Sequence, residues 1–186
     1  FGLRAFKYEN GVMNVINFSG STYYHPLSIS DNDNYVGTVI LPNVTKGFFN
    51  SEFLPTLGSD DSWASDINNS DQILGTTSDT QIRYLVIYEN GQIIHSYPFP
   101  DGSTEAINDS GFATGTDFPG GSFGRAYIYN YEENQFIYLP VIGVETFEAW
   151  DINNLNQIVG YFFDTDSTVA GFIWEDNNYT FLPTKS

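Results

Sequence analysis

Cysteine is absent from the 186 residues, which excludes disulfides and thiolate metal sites but does not choose a compartment, since exported chains also do without it. Bases are nearly as scarce: six Lys and Arg stand against 23 Asp and Glu, a formal charge of -17. Such a surface repels polyanions, so neither nucleic acid nor an anionic membrane surface is expected as a partner. No apolar run approaches the roughly 18 residues of a membrane helix, and no membrane insertion is expected. Charged residues total only 16%, which argues against a charge-dense disordered tail. Sustained helical periodicity is missing. So are a Gly-x-Ser-x-Gly elbow, a phosphate-cradling loop and a zinc-binding helix, which leaves nucleophilic, nucleotide and metalloprotease chemistry without an anchor. No cofactor or metal is expected, and the chain does not read as an enzyme. It begins with Phe rather than Met, as expected of a mature or excised product.

What is present favours strands and tight turns: 16 Phe, 13 Tyr and 17 Gly, with aromatics at 17%. The length suits one domain or one compact array. The stretch Asp151-Ile152-Asn153-Asn154-Leu155-Asn156-Gln157-Ile158-Val159-Gly160 has degenerate copies at 28–37, 66–75 and 106–115. Their second residues, Ile29, Ile67, Ile107 and Ile152, lie 38, 40 and 45 residues apart, and the closing glycines keep the same spacing. A constant core with variable connections is a structural module. An apolar residue, an Asn/Asp/Ser/Gly cluster and an alternating segment make each copy a hairpin, and the glycine in its second strand signals a bulge or a close backbone approach.

A second element precedes the first copy and follows each one, beginning at Arg4, Lys46, Arg83, Arg125 and Ala170. Tyr-Glu-Asn-Gly recurs at 8–11 and 88–91, and Asn-Gly between apolar runs is a strong hairpin signal. Two hairpins in about 40 residues give four strands per repeat, the pattern of a propeller blade. The expected fold is all-β: a small β-propeller of four to five blades in one repeat domain, 1–186. It divides into a half unit at 1–20 and units at about 21–57, 58–99, 100–140 and 141–186. The unpaired half unit also fits an open array whose strand edges other copies of the chain complete, a self-assembling structural subunit.

These residues resemble the bacterial extracellular HAF-repeat family, whose unit couples Ala-x-x-Ile-Asn-x-x-Gly-Gln-x-x-Gly to a His-Ala-Phe tripeptide. Ala64 with Ile67-Asn68 and Gln72 to Gly75 carries the first half, as does Ala149 with Ile152-Asn153 and Gln157 to Gly160. The tripeptide falls on Arg4-Ala5-Phe6, Lys46-Gly47-Phe48, Arg83-Tyr84-Leu85, Arg125-Ala126-Tyr127 and Ala170-Gly171-Phe172, with the family's His replaced throughout. The resemblance implies export, with an extracellular or cell-surface location, and a propeller-like fold; it implies no reaction.

The expected role is therefore a non-enzymatic module for binding or surface display. Arg4, Lys46, Arg83 and Arg125 read as one equivalent position, which a closed propeller would arrange as a cationic ring for a small anion, a carboxylate or an anionic sugar. The competing reading pairs each base with a repeat carboxylate such as Asp66 or Asp151. Trp63 and Trp150, beside the motif, are candidate sugar-stacking platforms or blade core, as is Trp174. Asp31 to Asn34 offers oxygen ligands but no complete calcium loop, and turn chemistry accounts for it. His25 and His95, each near tyrosines, are the weaker candidates for the acid and base of a polysaccharide lyase.

Overall fold

The computed structural model describes residues 5–58, 60–121, 123–143, 146–163 and 169–183. The regular structure there is antiparallel strand, apart from one 3-10 turn at Pro119–Gly121. The chain folds as two compact units, Phe1–Pro98 and Phe99–Ser186.

The first unit opens with a two-stranded hairpin, β1 (Ala5–Glu9) and β2 (Val12–Ile16). Its turn residues, Asn10 and Gly11, both have positive φ (51° and 83°), the type I′ geometry that matches strand twist. Two four-stranded sheets follow. One is β3 (Tyr23–Ile29), β4 (Tyr35–Leu41), β5 (Val44–Phe49) and β6 (Glu52–Phe53). The other is β7 (Ser62–Ile67), β8 (Gln72–Ser78), β9 (Arg83–Glu89) and β10 (Gln92–Pro98), whose last turn repeats the type I′ pair at Asn90-Gly91. The second unit holds β11 (Gly102–Ile107), β12 (Phe112–Asp117), β13 (Arg125–Asn130) and β14 (Gln135–Tyr138) in one sheet. Its other sheet is β15 (Phe147–Ile152), β16 (Ile158–Phe163), β17 (Val169–Glu175) and β18 (Asn178–Phe181). Every sheet is a meander in which consecutive strands are neighbours. The fold is thus an all-β repeat of four four-stranded sheets, led by a two-stranded one.

One irregularity recurs in all four complete sheets. The register of the first two strands slips two residues before the motif isoleucine, so Leu27, Ser65, Glu105 and Trp150 have no partner opposite. This bulge drives the carbonyl of His25, Trp63, Ser103 or Glu148 against the motif glycine. A Cβ on Gly37, Gly75, Gly115 or Gly160 would lie 2.2, 2.1, 2.2 or 2.0 Å from that oxygen, so only glycine fits.

The turn of each motif hairpin is likewise one design. Its last loop residue takes positive φ at Asp33, Asp71, Gly111 and Asn156, all residue types that tolerate it. The motif asparagine ties the loop together: Asn68 Oδ1 accepts from the Ser70 and Gln72 amides, Asn108 Oδ1 from Ser110 and Phe112, and Asn153 Oδ1 from Leu155 and Gln157.

Sheets pack face to face within each unit. Val36 and Leu54 of the β3–β6 repeat meet Ala64, Ile67, Ile73, Val86 and Tyr88, and Ala5, Ile16 and Phe18 cover Val39 and Phe48. In the second unit Ala106, Ala126 and Ile128 pack with Phe147, Ile152, Ile158 and Phe172. Strand β9 is buried on both faces from Leu85 to Tyr88, whereas β10, at the sheet edge, alternates exposed and half-buried residues.

Successive motif loops are also joined. The Asp31 amide donates to Asn69 Oδ1 (2.8 Å), and the equivalent Asp109 amide donates to Asn154 Oδ1 (2.9 Å). Asp71 receives Ser30 Oγ, Asn32 Nδ2 and Asn34 Nδ2. The Asn32 and Asn34 side chains and the Asp31 amide are therefore spent on joining two sheets, and the Asp33 carboxylate pairs with Lys7 at 3.4 Å, a role wider than the turn chemistry expected of the run.

Candidate functional site

Because the bulge leaves one first-strand residue unopposed, it turns that side chain out of the ladder. The residues at the bulge and two positions before it form equivalent pairs in the two units. In the first unit they are His25 with Leu27 and Trp63 with Ser65. Together with Tyr23 and Thr38 they line a recess of about 300 Å³. Trp63 is half-buried there, and the His25 and Tyr23 rings lie 6.0 Å apart.

In the second unit the corresponding residues are Ser103 with Glu105 and Glu148 with Trp150. Trp150 occupies the bulge itself and is 58% exposed, its ring 6.1 Å from that of Tyr161. Tyr161 donates its hydroxyl to Glu148 Oε2 (2.6 Å), which together with burial raises its pKa. Burial pushes the Glu105 carboxyl above the usual range and the Glu148 charge adds to it, against a hydrogen bond from Ser103. The result is an exposed indole beside a phenol, flanked by two carboxylates. Trp174, by contrast, is core, at 7% exposure.

The basic residues do not form one equivalent set. Lys46 and Arg125 both stand two residues before the partner of a motif glycine, since Gly37 faces Phe48 and Gly115 faces Tyr127. Gly75 faces Val86, so the matching residue is Tyr84, and Arg83 is one step out of register on the opposite side of the strand. The slip was hidden because Arg-Tyr-Leu and Tyr-Leu-Val fit the tripeptide equally well. Arg4 lies outside the described residues. Arg125 pairs with its cross-strand neighbour Asp117 at 2.8 Å and stacks on Tyr138 at 4.3 Å, and Lys46 approaches Asp60 at 3.9 Å. These partners are not the expected Asp66 and Asp151, whose carboxylates accept from the amides of Ile67 and Ile152.

The two histidines lie on the first strand of one sheet and the fourth strand of the next. Burial lowers the pKa of His95. Sequence reasoning missed Glu105, Glu148 and Tyr161. The signal for the first two was their offset from the motif isoleucine, which equals that of Trp150 and Trp63. No protein-family model matches this chain, and no curated protein matches it.

Proposed function

We propose that this protein is an exported, non-enzymatic repeat module that binds neutral carbohydrate along the first strands of its sheets, with Trp150 as the stacking surface. The observation that carries the reading is the indole of Trp150, 58% exposed on a backbone bulge beside Tyr161. An apolar sugar face stacks on such a ring, while Glu148 and Glu105 supply acceptors for sugar hydroxyls. An anionic ligand ranks behind, because Asp117 already neutralises Arg125 and the site itself carries carboxylates. Export rests on the family resemblance. Closure of the sheets as a propeller of four to five blades completes the reading, since first strands then line the axis.

Titration with neutral oligosaccharides, followed by tryptophan fluorescence, is expected to show saturable binding. Trp150→Ala weakens it more than about tenfold, and Arg125→Ala leaves it intact. Binding restricted to uronate-containing glycans, or retained by Trp150→Ala, overturns the reading.

A further inference from the structure

The last sheet departs from the repeat at three positions, and the three side chains converge. Two residues before the bulge stand His25, Trp63 and Ser103 in the first three four-stranded sheets, and Glu148 in the last. Opposite them on the second strand lie Thr38, Thr76 and Thr116, all buried, but in the last sheet Tyr161, which is half-buried. The bulge itself holds Leu27, Ser65 and Glu105, and then Trp150. Tyr161 donates its hydroxyl to Glu148 at 2.6 Å, and its ring lies 6.1 Å from the indole. Glu105, on the first strand of the sheet packed alongside, stands within electrostatic reach of both Glu148 and Tyr161.

The scaffold does not require acids here, since Glu105 is the one carboxylate among the six equivalent positions of the first three sheets. Glu105 and Glu148 are both half-buried, and like charges held close on partly dehydrated ground repel each other. Among the described residues no base relieves them: Arg125 is engaged by Asp117, and neither glutamate has an ion pair. A wholly neutral sugar seated on Trp150 dehydrates both acids further and leaves their charge unbalanced.

We infer that the sugar this site holds best is an amino sugar, its ring face on Trp150 and its ammonium group between Glu148 and Glu105. The inference rests on the reading of Trp150 as a stacking surface and adds the charge of the ligand to it. An ammonium group brings three donors and no acceptor, so it makes charge-assisted hydrogen bonds to both carboxylates and removes their repulsion. The electron-rich faces of Trp150 and Tyr161 favour the same cation. Tyr161 acts as a positioning residue: its hydroxyl holds one oxygen of Glu148 and leaves the other to the ligand. The formal charge of -17 draws cations toward the surface, and the three departures from the repeat mark where one is retained.

The test is calorimetry at physiological ionic strength with linear tetramers of glucosamine, N-acetylglucosamine and glucose, alike in linkage. The glucosamine tetramer is expected to bind at least about tenfold more tightly than either neutral one, and Trp150→Ala to weaken it more than about tenfold. Glu148→Gln and Glu105→Gln each reduce the preference for glucosamine to about threefold or less. Glutamine keeps the shape, and the other sheets carry uncharged residues at these positions, so the fold is spared. Glu132→Gln, an exposed acid on the turn between β13 and β14, leaves the preference unchanged, which separates the site from the general pull of an acidic surface. If the glucosamine tetramer binds no more tightly than the neutral ones, and binding still depends on Trp150, the inference falls and the stacking site stands. A preference that survives Glu148→Gln and Glu105→Gln belongs to the bulk charge and also overturns it. Tetralysine bound as tightly as the glucosamine tetramer, and with the same dependence on Trp150, gives the site to a basic peptide instead. Absence of binding by all three tetramers removes the stacking reading and the inference together.

Discussion

The hairpins β3–β4 and β7–β8 share a register, a bulge, a loop residue of positive φ and a glycine pressed against a carbonyl. Their first strands nevertheless differ: in β7 Ala64 and Ile67 are buried, whereas in β3 Pro26 and Ile29 are exposed. The difference follows from what lies alongside. A full sheet covers β7, and a two-stranded hairpin stands beside β3. Hairpin geometry in this chain is therefore local, while burial is conferred by the neighbouring sheet. The composition of β3 agrees, since Pro26 stands where the other copies bury a small residue, Ala64, Thr104 or Ala149.

The sharpest test compares the two isoleucines. Ile67→Ala is expected to cost the first unit about 2–5 kcal/mol in urea unfolding followed by Trp63 fluorescence, and Ile29→Ala less than about 1 kcal/mol. Equal losses would break the comparison. The glycines come next. Gly75→Ala forces a Cβ onto the Trp63 carbonyl and should cost about 1–3 kcal/mol; the turn glycine Gly91, with φ 71° and open space around it, should cost about 1 kcal/mol.

A smaller difference is expected between loops. Asn68→Ala deprives two backbone amides of their acceptor, for about 1–2 kcal/mol, and Ser30→Ala removes a single hydroxyl bond to Asp71 and should cost less. The smallest effect concerns Glu105, whose carboxyl is held above its ordinary value by burial and by Glu148. Its folded state holds the proton more tightly than the unfolded chain. The associated stability is thus full below the ordinary value of 4.5 and is lost as pH rises through the folded value. Glu105→Gln should slightly raise the melting temperature at neutral pH and leave it unchanged in acid. A rise that persists in acid would remove the carboxylate pair from the explanation.

Much of the fold is legible in the sequence. The Asn-Gly turns, the four-strand repeat and the special status of the motif glycine all rest on interactions between residues close in sequence. The site was less legible. Trp63 and Trp150 stand at neighbouring but not identical positions beside the motif, and one is half-buried while the other stands out, because a one-residue bulge changes which side of the ladder a position serves. The same one-residue step removed Arg83 from the basic set, and the partners of Arg125 and Lys46, Asp117 and Asp60, come from positions that no repeat pattern marks.

Left to itself, the sequence determines the hairpins: turn residues that accept positive φ, alternating strands, and a glycine wherever a carbonyl must come within van der Waals contact. Those are short-range steric facts. Tertiary structure alone decided which copies of the motif are buried and which loops bond to each other. Burial and pairing are properties of the neighbour, and hairpins of one geometry acquire different surfaces when one has a four-stranded sheet beside it and another a two-stranded one.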